Sequence, residues 1–131
     1  MSPTDASNRS SIPAGRVILI IVYTLLAIVG VIGTWYFNLL FFEQGSELSY
    51  LEAWFVNPAS SSAAVDIIVI AVMASVFMAV EGCRLRIWWT WVLIPLSFLI
   101  AVAFTFPLFL AVREVRMYLL EKRSMLPRDT R

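Results

Sequence analysis

No histidine occurs anywhere in the 131 residues. That removes the commonest ligand of haem iron, zinc and copper, and the commonest general base near neutral pH. The single cysteine, Cys83, cannot close an internal disulfide, so it assigns no redox compartment. It reads as a small residue at a membrane boundary. Net charge is only +1, from ten basic and nine acidic residues, too balanced to suggest nucleic acid as a partner. Phosphate loops, nucleophile elbows and metal-ligand clusters are missing as well, so the expectation is a non-enzymatic chain without a cofactor. What the chain has is apolar length. Its hydrophobic share is 60% and its mean hydropathy +0.83, against about 45–50% apolar residues in a soluble domain. The excess points to a lipid bilayer as the surrounding medium.

Residues 1–16 are rich in Ser, Pro and Gly and predict a disordered polar tail. From Val17 to Phe42 the chain is almost wholly apolar. A signal peptide has an apolar core of about 7–15 residues and a small-residue cleavage site; this run is longer and has no such site, which predicts an uncleaved span over about 17–38. Trp35 and Tyr36 would mark its interface. Residues 43–62 hold three glutamates and no Lys or Arg. Leu48, Leu51, Trp54 and Phe55 share one helical face there, predicting a short interfacial helix over about 46–56, capped by Ser46 or Ser49 and broken at Asn57-Pro58. A second span follows over about 63–82 and a third over about 88–112. Pro95 and Pro107 each remove a helix hydrogen bond from the third, so bends are expected. Residues 113–131 read as a charged tail, helical to about Lys122. The expected fold class is all-α integral membrane: three transmembrane helices, residues 17–112, plus the interfacial helix in the first connection.

Orientation is less sharply specified. With three plain spans, Arg9, Arg16, Arg84 and Arg86 share one side, and six basic residues of the C-terminal tail share the other with the base-free first connection. The positive-inside rule then leans only slightly to a cytoplasmic C-terminus. The alternative is a third segment that bends at its prolines and re-enters, which would bring every basic residue to one side.

Two acids bracket the second span. Asp66 and Glu81 cover roughly 21 Å of a hydrocarbon core near 30 Å, so at least one dips below the membrane boundary. For Asp66 the structural reading is an acid in the first helical turn, complementing the helix dipole, with Thr34, Tyr36, Asn38, Thr105 and Arg113 as neighbours. For Glu81 it is an i, i+3 pair with Arg84 at the membrane edge, near Arg16 and Arg86. The functional reading of both is an ion or proton path, but only Ser75 offers a polar group between them. Ala27, Gly30 and Gly33 form a small-residue strip suited to close helix contact within the bundle. Pro107 frees the carbonyl of Ala103 inside the third span.

WYFN at 35–38, NP at 57–58, VD at 65–66, VEG with Arg84 at 80–84, and FTFPLFL at 104–110 followed by Arg113-Glu114 resemble a family of short bacterial membrane proteins catalogued as a domain of unknown function. The likeness covers roughly residues 18–115, and FPLFL with its following Arg-Glu is the most specific part. It implies three spans with an acid opening the second helix. It brings no activity, substrate or cofactor.

The sequence thus predicts a multi-pass protein of the plasma membrane that acts through helix contacts. It would serve as an accessory subunit of a larger membrane complex or form a small homo-oligomer. The competing expectation is a proton, cation or small-solute transport element using Asp66.

Overall fold

The computed structural model describes residues 12–45 and 47–125, all of whose regular elements are helices. Most of the predicted polar tail, Ser46 and the last six residues lie outside the described residues. Helix α1, Ala14–Glu43, is 30 residues long, about 45 Å at 1.5 Å per residue. It exceeds a 30 Å hydrocarbon core and begins three residues before the expected span, so Gly15 and Arg16 are helical. Gly45 ends it in the left-handed region, φ 60, the usual role of glycine just past a helix C-terminus.

Helix α2 is shorter than the sequence suggests, only Tyr50–Trp54. Ser49 and Glu52 form a capping box at its start. Hydrogen bonds from the Ser49 side chain and backbone hold the Glu52 carboxyl below its ordinary range. Tyr50 pins the connection to α1: its hydroxyl donates to Asn38 Oδ1 at 2.6 Å, and its ring packs on Phe41, Phe42 and Trp54.

Helix α3, Pro58–Arg84, starts five residues before the expected span. Asn57-Pro58 is the reason. Asn57 caps the helix by accepting from the Ser60 N–H at 2.9 Å, and Pro58 occupies the first helical position, where its missing N–H costs nothing. Asp66 therefore sits in the third turn, not the first. At the other end the Ile87 N–H reaches the Gly82 carbonyl at 2.8 Å and the Arg86 N–H the Cys83 carbonyl at 3.2 Å. This is a Schellman turn with arginine, φ 53, where glycine is usual; the left-handed conformation costs an L-residue about 1–2 kcal/mol.

The expected third span is two helices, α4 (Thr90–Leu99) and α5 (Val102–Met125). Both prolines lie inside these helices, Pro95 in α4 and Pro107 in α5, and the break falls between them at Ile100-Ala101. There the chain reverses. Ser97 and Thr105 hydroxyls meet at 2.7 Å across the turn, and each also satisfies a backbone carbonyl, of Leu93 and Ala101 respectively. Helix α5 then returns to the end of α3: Phe77 packs on Phe106 and Phe109, Glu81 meets Arg113, and Arg116 donates to the Leu85 carbonyl. Contacts advancing together along both chains mean that α3 and α5 run parallel. A straight third span would have carried Arg113 to the opposite end of the bundle.

Helix α1 runs antiparallel along α5, its most extensive partner. Arg16 meets Glu121 at one end, and Gly30 meets Ala103 near the turn. The turn at 100–101 is thus level with the middle of α1. Below it, Met78, Leu85, Ile87, Leu93 and Phe109 form the core between α3, α4 and α5. Beyond it, the second half of α1 and the first half of α3 continue without α4 or α5 between them. Their side chains Ile32, Phe37 and Ile70 are exposed.

Candidate functional site: an ion-pair chain at one end, a lone acid at the other

Six charged side chains from three helices connect at the end of the bundle where α1 begins. Glu81, one turn before the end of α3, accepts from Arg113 Nε through Oε1 at 2.8 Å. Its Oε2 lies 3.4 Å from Arg84 Nη1, the i, i+3 pair the sequence predicts. Arg113 turns its other edge to Glu114 Oε1 at 3.2 Å. Glu114 Oε2 faces Arg16 Nε of α1 at 3.7 Å, and Arg16 grips Glu121 with two parallel bonds of 3.0 and 2.9 Å. That fork geometry is among the stronger charge-assisted arrangements; the Arg16 guanidinium holds the Glu121 carboxyl below its ordinary range. Glu81 and Glu114 are only 6% and 8% exposed. The Arg113 guanidinium also lies 6.0 Å from the centre of the Phe77 ring, within cation–π range.

Chemically the arrangement is saturated. Both oxygens of Glu81 and both of Glu114 face guanidinium nitrogens. Among the described residues, no buried side-chain polar atom lacks a hydrogen-bond partner, and no group of His, Cys, Asp or Glu is placed to hold a metal ion. The chain therefore ties α1, α3 and α5 together.

Asp66 contrasts with it. It is exposed on α3, on the side bearing Ile70, Met73 and Phe77 and away from the buried Ala64, Ala71, Ala74 and Met78. None of its expected neighbours bonds to it: Arg113 pairs with Glu81 at the other end, Asn38 is bonded to Tyr50, and Thr105 is bonded to Ser97. The polar group between the two acids, Ser75, returns its hydroxyl to the Ala71 carbonyl at 2.7 Å.

The small-residue strip divides. Ala27 is buried and a Cβ on Gly30 would overlap the Ala103 carbonyl, the one that Pro107 frees, whereas Gly33 has nothing within 4 Å. A second close approach, at Gly82 against Thr90, was not expected. Glu114 and Glu121 belong to the charged tail of the sequence. Their seven-residue spacing, two full helical turns on one face, was the available signal.

The reversal at Ile100-Ala101 also sorts charge. Seven described cations (Arg16, Arg84, Arg86, Arg113, Arg116, Lys122 and Arg123) lie at one end with three carboxylates, a net of +4. The described charges of the other end are Glu43, Glu47, Glu52 and Asp66, a net of −4.

These features define the class: an all-helical protein in which α1 and α3 are long and apolar enough to cross a membrane. The chain belongs to the family described as "Protein of unknown function DUF2834", whose model matches residues 22–115. Asp66, Gly30, Glu81, Arg113 and Glu114 fall inside that segment; Arg16 and Glu121 fall outside it. No curated protein and no solved structure matches the chain.

Proposed function

We propose that this is a plasma-membrane protein of two spans, α1 and α3, and a hairpin, α4 with the start of α5, that reaches half-way into the bilayer. Its role is contact: it docks α3 onto another membrane protein as an accessory subunit and does no chemistry itself. The basic end faces the cytoplasm, as the positive-inside rule requires of short loops and juxtamembrane segments.

One observation carries the reading. Asp66 is exposed on an apolar helix face with no partner among the described residues. Asp66 and Glu81 are fifteen positions apart, about 22 Å of helix. With one boundary at Glu81, a 30 Å core places Asp66 about 8 Å inside the other. A carboxyl there is costly unless something pairs with it, and such groups normally face protein. A second parallel copy supplies no described cation at that depth, because all of them lie at the other end. The complement is therefore a Lys or Arg on a helix of a different chain. The transport reading lacks a comparable support, since Ser75 is occupied and no polar track joins the two acids.

The test is the intact mass of the particle extracted in mild detergent from its native membrane, for wild type, Asp66→Asn and Asp66→Leu. A second kind of chain should accompany the wild type and be lost from Asp66→Leu, with Asp66→Asn intermediate. A homo-oligomer, a lone chain, or an unchanged assembly with altered proton or cation flux in the Asp66 variants would each refute the docking role.

A further inference from the structure

Between the end of α3 and the start of α4 lies a cavity of about 430 Å3 at the basic end, lined by Gly82, Cys83, Arg86, Ile87, Trp88 and Trp91. It lies outside the ion-pair chain and far along the helix from Asp66. Arg86 enters its lining from the left-handed position of the Schellman turn. Arg16, Arg84 and Arg113 each have a carboxylate partner, but Arg86 has none among the described residues. Trp88 is 82% exposed and Trp91 is exposed beside it. An unpaired guanidinium and two open indoles thus share one small volume.

We propose that this cavity holds the headgroup of an anionic phospholipid, with Arg86 on the phosphate and Trp88 and Trp91 against the glycerol and the first acyl carbons. Three arguments converge. The guanidinium presents a rigid fork of donors that matches phosphate oxygens. Indoles favour the depth where headgroup meets hydrocarbon, which is where a lipid brings its phosphate. The surrounding net charge of +4 attracts anionic lipid, as basic clusters on the cytoplasmic side of membrane proteins do. A soluble anion would satisfy Arg86 but leave the carbon walls of Ile87, Trp88 and Trp91 without a ligand.

The experiment uses the full chain with Trp35→Phe, Trp54→Phe and Trp89→Phe, so that only Trp88 and Trp91 fluoresce. It is reconstituted in phosphatidylcholine vesicles containing a fixed fraction of lipid brominated high on the acyl chain, either phosphatidylglycerol or phosphatidylcholine. Bromine quenches indoles it touches. The expected result is a several-fold greater apparent association of the phosphatidylglycerol, persisting in Arg123→Gln and in excess inorganic phosphate, and falling to parity in Arg86→Gln and Arg86→Gly. Glycine suits a left-handed backbone, so the second Arg86 variant removes the guanidinium while keeping the turn. Equal quenching by the two lipids, or a preference that survives both Arg86 substitutions, overturns the proposal. Loss of the preference on adding inorganic phosphate overturns it too, by making the cavity a site for a soluble anion.

Discussion

Gly30→Ala should destabilise the bundle, while Gly33→Ala, three residues further along the same apolar helix, should not. A Cβ on Gly30 meets the Ala103 carbonyl oxygen first, then its carbon at 2.6 Å and the Ala103 Cβ at 3.0 Å. Two of these three are backbone atoms in the first turn of α5, which no change of rotamer can move aside. Relief requires α1 and α5 to separate along their shared face. Overpacking of this kind costs about 1–3 kcal/mol. Alanine is also the better helix former by up to about 1 kcal/mol, a gain both variants share. Subtracting one from the other cancels it, so Gly30→Ala should be less stable than Gly33→Ala by about 1–3 kcal/mol. At 1.4 kcal/mol per tenfold, that is roughly a 5- to 150-fold difference in the unfolding constant. Titrating dodecyl sulfate into mild-detergent micelles, with helix content followed by circular dichroism, measures the difference directly. Agreement of the two variants within about 0.5 kcal/mol, below the overpacking range, or a more stable Gly30→Ala, would refute the α1–α5 packing.

Arg113→Leu leaves Glu81 buried with only the exposed Arg84 beside it; breaking a buried ion pair from one side costs about 3–5 kcal/mol. The same titration should show that loss, and a much smaller one for Glu121→Ala at the exposed end of the chain of charges; equal losses would mean that Glu81 is not buried against Arg113. The hairpin has its own check. In a Cys83→Ser background, cysteines placed at Cys83 (restored), Val56 and Ser124 are treated with a membrane-impermeant maleimide on intact and opened vesicles. Positions 83 and 124 should label from the same side and 56 from the other. A plain third span would place 124 with 56.

The Ser49 cap is a local event, a side chain answering the N–H three residues on, and was legible for that reason. Asn57-Pro58 reads equally as a break and as a start, and the bond from the Ser60 N–H to Asn57 makes it the start of α3. The Glu81–Arg84 pair was legible because three residues of one helix set it. The Glu81–Arg113 pair was not, being 32 positions apart and on the wrong ends of a three-span arrangement.

By itself the sequence determined the apolar runs, their helical character, the Ser49 cap, and the two acids that α3 carries. Each follows from side chains and backbone within a few residues of one another. Only the tertiary structure decided where the third run goes. Hydropathy is a property of each residue with no direction attached, and two prolines weaken a helix without saying which way it turns. The reversal at Ile100-Ala101 is held by Ser97 against Thr105, by Arg113 against Glu81 and by the Ala103 carbonyl against Gly30. Those contacts exist only once the hairpin has formed. With it, the described charges separate into a basic and an acidic end, Gly30 becomes different from Gly33, and Asp66 is left on an exposed apolar side of α3 with no partner among the described residues.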